Sequence, residues 1–236
     1  MILHTEVFGE GDPIVFLHTG LQTSLTDFEY QKDYFADAFK VVLPDLRGHG
    51  KSITDNFSNY FVGATTDLDE TLDHLGILSA HIVGCSLGAL VGLFFAKTYT
   101  KKVKSLTLSG VLAEKPANWE EMNQAEADQQ KHLLQNEQAT GYFDQLHQSD
   151  WRKFIAMGKD PNWYPFHETT SLIGIKAPVL YLVGEENSTE TKGSLLYPAI
   201  GENVHVGIIP FAGHLVHDEQ PEIYSKIVEC FPGKIG

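Results

Sequence analysis

The chain has 236 residues and a net charge of −14, with 42% hydrophobic and 20% charged residues. That length and composition suit one folded domain with a sizeable core and exclude a disordered chain. The negative balance argues against nucleic acid and anionic membrane surfaces as partners, since both call for basic patches. Two cysteines, Cys85 and Cys230, give neither a disulfide framework nor a metal-ligand spacing, so a reducing compartment is expected. The start of the chain runs straight into a strand pattern with no signal-peptide profile. The longest apolar run, around residues 89–96, is too short to span a bilayer. A cytoplasmic location and no membrane span are the expectations; the oligomeric state is not legible.

In chain order, residues 2–8 read as a strand, 9–13 as a turn and 14–17 as a buried strand ending in His18-Thr19-Gly20. Phe28, Tyr34, Phe35 and Ala38 recur near helical spacing, which predicts a helix over 26–39 with Thr26 or Asp27 as its N-cap. A strand over 40–43 leads into Pro44-Asp45-Leu46-Arg47-Gly48-His49-Gly50-Lys51-Ser52. A helix within 61–75 carries Leu68, Leu72 and Leu75 on one face. A strand over 80–83 follows. The helix after it, 87–99, is apolar nearly all round and is expected to be buried. Residues 103–108 form the next strand.

The pattern then changes. Residues 112–171 show no convincing strand, are rich in Glu and Gln, and predict helices over 119–138 and 142–156. All three tryptophans (Trp119, Trp151, Trp163) fall here, with Tyr142, Phe143, Phe154, Tyr164 and Phe166. Strands over 177–184 and 204–209 and a helix over 221–231 complete the chain. Strands alternating with helices predict a mostly parallel sheet covered on both faces. The partition expected is a core of 1–111 and 172–236, with 112–171 as an inserted helical cap. An aromatic ceiling without clustered Lys or Arg favours uncharged substrates of modest size.

The chain is organised around Val83-Gly84-Cys85-Ser86-Leu87-Gly88. A β-rich run ends here and an apolar helix begins at once, with Ser86 between two glycines. This is the G-x-S-x-G pattern of a nucleophile elbow. A serine on so sharp a turn is held in a strained backbone geometry. Residues two before and two after it press on neighbouring backbone and have to be small.

Five motifs occur in one order: H-T-G after an early strand, D-L-R-G-H-G-K-S, G-C-S-L-G, a strand ending in V-G-E-E-N, and A-G-H near the end. Together they resemble the α/β-hydrolase superfamily, close to its small-cap esterases and lipase-like members, over all of the chain but the insert. The resemblance implies an α/β fold with a mostly parallel central sheet, helices on both faces and a small helical cap. It implies Ser86 as nucleophile and His214 as base, with Leu87 and Gly20, or alternatively Leu21, giving oxyanion N–H groups. Where the family has G-x-x-D, this chain has Gly184-Glu185-Glu186-Asn187. Glu186 is the expected acid, with Asn187 in an orienting role, Glu185 and Glu114 as alternatives. His18 is expected to brace the oxyanion loop, Arg47 and His49 to be partners of Asp45, Cys85 to be packed away from Ser86, and His217 to be a helix-entry residue. No metal or organic cofactor is called for. The function implied is a serine hydrolase cleaving a small, largely apolar carboxylic ester or related acyl compound through an acyl-enzyme. The alternatives are a cofactor-free lyase or C–C bond hydrolase, and a catalytically weak or inactive small-molecule binding protein.

Overall fold

Seven strands form a single sheet in the computed structural model, which describes residues 1–201 and 203–231. The elements in chain order are β1 (Thr5–Phe8), β2 (Asp12–Leu17), α1 (Glu29–Phe35), β3 (Phe39–Pro44), α2 (Tyr60–His74), β4 (Ala80–Cys85), α3 (Leu87–Thr98) and β5 (Val103–Ser109). Then come α4 (Trp119–Gln135), α5 (Glu137–Leu146), α6 (Arg152–Gly158) and α7 (Phe166–Thr169). Last are β6 (Val179–Gly184), α8 (Ser188–Thr191), α9 (Gly193–Leu196), β7 (Val204–Ile209), α10 (Val216–Glu219) and α11 (Pro221–Cys230). Across the sheet the order is β1-β3-β2-β4-β5-β6-β7. β1 runs antiparallel to β3 and every other neighbouring pair is parallel.

The continuous apolar run of β2 has a direct cause. Val15 and Leu17 face one core with α2 and α3, while Ile14 and Phe16 face a second core with Phe28, Phe35 and Tyr224 from the other side. A strand buried on both faces has no place for polar alternation. Helix α3 is enclosed for the same reason. Leu90, Val91, Leu93, Phe95 and Ala96 are all buried, each of the larger ones contributing about 1.5–3 kcal/mol.

The chain passes from β2 outward to β3 and then returns to β4 on the other side of β2. That reversal opens a crevice beyond the C-terminal ends of β2 and β4. The loop after β2 and the turn after β4 both end there. Helices α4 to α7, inserted between β5 and β6, hold no strand among the described residues. They are tied down at the loop after β3. Gly50 N–H donates to His147 Nδ1 (2.9 Å), Gln148 N–H to Gly50 O (2.8 Å) and Thr54 N–H to Ser149 Oγ (3.0 Å).

Several expected boundaries shift, each for a local reason. The first helix begins at Glu29, behind an N-cap at Phe28. Asp27 and Thr26 do not cap it: the Asp27 carboxylate takes Thr19 N–H and His217, and Thr26 Oγ1 takes Thr23 N–H. The helix expected over 119–138 stops at Asn136. There the backbone turns extended and the side chain caps α5 through Gln138 and Ala139 N–H. The helix expected over 142–156 is divided between α5 and α6. The first strand starts at Thr5 instead of residue 2. Residues 232–236, assigned to the second core segment, and residue 202 lie outside the described residues.

Candidate active site

Ser86 occupies the turn between β4 and α3 with φ 52° and ψ −117°, a conformation almost closed to residues with a side chain. Its N–H is tied to Ser109 O at 2.9 Å. The flanking glycines are required by close approach: a Cβ on Gly84 would stand 2.5 Å from the Gly88 carbonyl, and one on Gly88 would collide with Leu17 O. Cys85 is fully buried, and burial pushes its thiol pKa well up. It is a packing residue.

His214 lies in the loop after β7. Glu219 fixes its place in the chain, accepting Gly213 N–H at 2.8 Å and Leu215 N–H at 2.9 Å. Ser86 and His214 line the same cavity. Gly110, just past β5, stands between them: a Cβ there would lie 2.9 Å from both His214 Cε1 and Ser86 N. Ser86 Oγ makes no hydrogen bond among the described residues. Such contacts are often long before a substrate binds.

The carboxylate on His214 is Glu190, in α8. Its Oε1 accepts from His214 Nδ1 at 2.6 Å and from Asn187 Nδ2 at 2.7 Å. Asn187 Oδ1 in turn accepts Glu190 N–H at 3.2 Å, making Asn187 the N-cap of α8. The Glu190 side chain is 4% exposed. Burial works to lower the His214 pKa. The hydrogen bond and charge of Glu190, with smaller contributions from Glu219 and Glu126, outweigh it and raise the pKa above the ordinary value.

The expected acid, Glu186, does not make this contact. It is exposed, and its backbone N–H, not its side chain, faces the histidine loop through Ala212 O. It sits in the turn directly after β6, pointing to solvent. Glu185 accepts Phe211 N–H, and Glu114 pairs with Lys192 at the surface. Asn187 touches the carboxylate and not the imidazole.

The loop after β2 carries free donors. Gln22 N–H closes a turn on Thr19 O at 3.3 Å, while the N–H groups of Gly20 and Leu21 make no hydrogen bond among the described residues. Leu87, the first residue of α3, has no intrahelical acceptor for its N–H. Leu21 has φ 62°, which costs a non-glycine residue roughly 1–2 kcal/mol. Three buried groups hold this loop. Asp27 Oδ2 takes Thr19 N–H (2.6 Å), and His18 Nδ1–H donates to Thr19 O (2.8 Å) while its Nε2 accepts Leu46 N–H (2.8 Å). From the insert, His147 Nε2–H donates to Leu21 O at 3.1 Å, its Nδ1 being occupied by Gly50 N–H. Burial holds both imidazoles below their ordinary pKa. The bracing role expected of His18 is thus shared with His147, which sequence reasoning missed.

One expectation about neighbours changes, and the helix-entry place expected of His217 holds. Asp45 accepts Ser24 and Lys51 N–H, whereas Arg47 pairs with Asp67 at 2.7 Å and His49 donates to Arg47 O. Asp45 fixes the loop by backbone contacts, with no need of either side chain. His217, at the start of α10, is fully buried against Phe28 and bonded to Asp27, away from the cavity.

The cavity measures about 700 Å³. Of the insert's aromatics, Trp119, Phe154, Trp163 and Tyr164 line it; Trp151 is packed on Phe143 instead. The ceiling is not wholly apolar, because α4 adds Asn123, Glu126, Gln129 and Gln130. None of the described lining residues is Lys or Arg.

Comparisons with known proteins agree with the fold. The family model described as alpha/beta hydrolase fold matches residues 12–138. A 3-oxoadipate enol-lactonase of Acinetobacter baylyi is 26% identical over 248 aligned positions, covering 97% of this chain and 92% of the relative. A proline iminopeptidase of Neisseria gonorrhoeae is 27% identical over 152 positions, 62% of this chain and 43% of the relative. The solved structure of NosK from Streptomyces actuosus superposes with a TM-score of 0.82 at 25% identity, covering 94% of this chain and 97% of that one.

Proposed function

The chain belongs to the α/β-hydrolase fold family and is an enzyme of the hydrolase type. From that premise we propose that it cleaves small carboxylic esters or related acyl compounds through an acyl-enzyme on Ser86. One observation carries the reading. A serine in a strained turn shares a cavity with a histidine whose far nitrogen is bonded to a buried carboxylate.

In this reading His214 Nε2 takes the Ser86 proton as Oγ attacks the substrate carbonyl. Glu190 holds the imidazole so that Nδ1 carries its proton toward the carboxylate, and stabilises the imidazolium as it forms. The oxyanion is met by Leu87 N–H and by Gly20 or Leu21 N–H. His214 returns its proton to the leaving alcohol. It then activates a water, which releases the acid and frees Ser86. The inserted helices act as the cap that bounds the substrate. An asparagine with no carboxylate nearby would favour an inactive binding protein, and the Glu190 contact with His214 removes that reason. The unpaired cysteines, Cys85 buried and Cys230 exposed, support a reducing, cytoplasmic setting. No helix among the described residues is long and apolar enough to cross a membrane.

The test is a small fluorophosphonate, with peptide mapping of the adduct, beside turnover of short p-nitrophenyl esters. Labelling is expected at Ser86, with turnover lost in step. A folded protein that neither labels at Ser86 nor turns over any ester overturns the proposal. Labelling with ester rates at background points instead to a lyase or C–C bond hydrolase on the same scaffold.

A further inference from the structure

Two loops from opposite ends of the chain meet at the Ser86 cavity. His214 comes from the loop after β7, and Gly20 and Leu21 from the loop after β2. Each loop has its own fastening. Thr19 O accepts His18 Nδ1–H at 2.8 Å and Gln22 N–H at 3.3 Å. Thr19 O and Gly20 N–H belong to one planar trans peptide and point opposite ways, so these bonds aim Gly20 N–H. Glu219, in α10, holds the N–H groups on either side of His214. A separate, buried link runs between the two loops. Asp27 Oδ2 accepts Thr19 N–H at 2.6 Å, and Asp27 Oδ1 accepts His217 Nε2–H at 2.8 Å. His217 is the second residue of α10, just past His214 in the chain. Its side chain is wholly buried and that of Asp27 nearly so. Gln31 Nε2 donates to His217 O at 2.8 Å, and Phe28 is stacked on the imidazole. His217 Nδ1 is buried without a partner among the described residues, so Asp27 is the polar anchor of the ring.

We propose that Asp27 and His217 are positioning residues for acyl transfer, a buried bridge that holds the oxyanion loop and the histidine loop at one spacing. The bridge rests on the acyl-transfer reading of Ser86 for its catalytic meaning. Neither side chain lines the cavity, so each acts through the loop it holds. The bridge calls for a carboxylate, because both partners are donors and a carboxylate only accepts. An asparagine has one accepting end and one donating end. It keeps one arm at most and turns N–H against N–H at the other. Loosening either arm lets the oxyanion donors drift relative to the base, and a misplacement of about 1 Å costs about 10²-fold in rate.

The test works across the bridge, on variants shown to be folded by circular dichroism at the assay temperature. Asp27→Asn and His217→Ala are each expected to lower kcat on a short p-nitrophenyl ester by about tenfold to 10²-fold, with KM little changed. The double variant is expected to lose no more than about twofold beyond the worse single variant, since one link is broken only once. His217→Gln returns an N–H donor to Asp27 and is expected to recover part of the loss. Hydrogen–deuterium exchange supplies a readout that needs no turnover. His217→Ala is expected to speed exchange in residues 19–22, to which His217 makes no hydrogen bond, and Asp27→Asn to speed it in residues 213–217. Where His217→Ala does not fold, Asp27→Asn carries the same test. Exchange that rises only beside the substituted residue overturns the bridge, as do an unchanged kcat, a loss carried by KM alone, or single losses that multiply in the double variant. If the parent protein neither labels at Ser86 nor turns over ester, the acyl-transfer reading fails and exchange alone decides the bridge.

Discussion

Glu190→Gln isolates the acid with the least change of shape. The carboxylate meets His214 Nδ1 at 2.6 Å and is nearly buried, while the His214 side chain is 45% exposed toward the cavity. What the substitution removes is the attraction between a carboxylate and the imidazolium formed in the transition state. Unit charges about 4 Å apart at an effective dielectric of about 20 interact by about 4 kcal/mol. The open side of the imidazole screens part of this, so a loss of about 10²- to 10³-fold in kcat/KM is expected. An Asp-to-Asn change in a serine protease triad, which also imposes the wrong tautomer, costs about 10⁴-fold and marks the upper end. The assay is kcat/KM on a short p-nitrophenyl ester with the rate of fluorophosphonate labelling, both at fixed pH and salt. Glu186→Gln is the matched control: exposed and not hydrogen-bonded to the imidazole, it is expected to change the rate by less than about twofold. The reasoning fails if Glu190→Gln, still folded by circular dichroism, loses less than about tenfold, or if Glu186→Gln loses as much.

The raised pKa of His214 gives a pH prediction with a definite sign. The base form is lost on acidification, so kcat/KM falls through a midpoint above the ordinary value of 6.5, and the residual activity of Glu190→Gln has its midpoint shifted downward. His147→Ala removes the donor to Leu21 O and the acceptor for Gly50 N–H. Loosening the oxyanion loop in this way is expected to lower kcat by about 10²-fold with KM little changed, and His147→Gln to restore part of it. Asn187→Asp is expected to lower activity, because it replaces the amide donor on Glu190 Oε1 by a second carboxylate; a rise in rate would contradict the assignment of Glu190. Asp27→Asn removes the charged acceptor of Thr19 N–H and His217 and should cost about 1.5–3 kcal/mol in urea unfolding at pH 7. Burial alone would raise the Asp27 pKa, but His217 and Thr19 N–H lower it below 3.8. Its contribution is therefore in place above that value and is lost as pH falls through the folded pKa, so the gap between mutant and parent closes in acid.

The elbow was legible because its sterics are local: a strained serine demands small neighbours two residues away, and only glycines satisfy Gly84 and Gly88. His214 was legible from its place after the last strand, and the buried β2 from its unbroken apolar run. His147 was not, since its two partners lie 97 and 126 residues away and nothing in the local pattern marks it. The composition of α4 was visible as Glu- and Gln-rich. Which face turned inward was not, because the helix buries only Trp119, Asn123 and Ala127. The aromatic ceiling inferred from the tryptophans was therefore half right: one of them, Trp151, packs within the insert, and polar side chains occupy much of the wall instead.

The carboxylate bonded to His214 is the instructive miss, because a signal for it was present. Asn187-Ser188-Thr189-Glu190 has the form of a helix start, an Asn cap followed three residues later by Glu. In the ordinary capping box the Glu turns back to the backbone N–H of the cap. Here it reaches the cap's side-chain amide with the same oxygen that takes His214 Nδ1. One turn of α8 thus does two jobs. Asn187 Oδ1 fixes where the helix begins, and Asn187 Nδ2 fixes where the Glu190 oxygen stands. A carboxylate three residues further along the chain, and one methylene longer than Asp, then arrives at the imidazole from a nearly buried position. The residue standing where the family has its acid is the one that positions the Glu190 carboxylate, so the departure at Asn187 moves the carboxylate along the chain while its contact with His214 is kept.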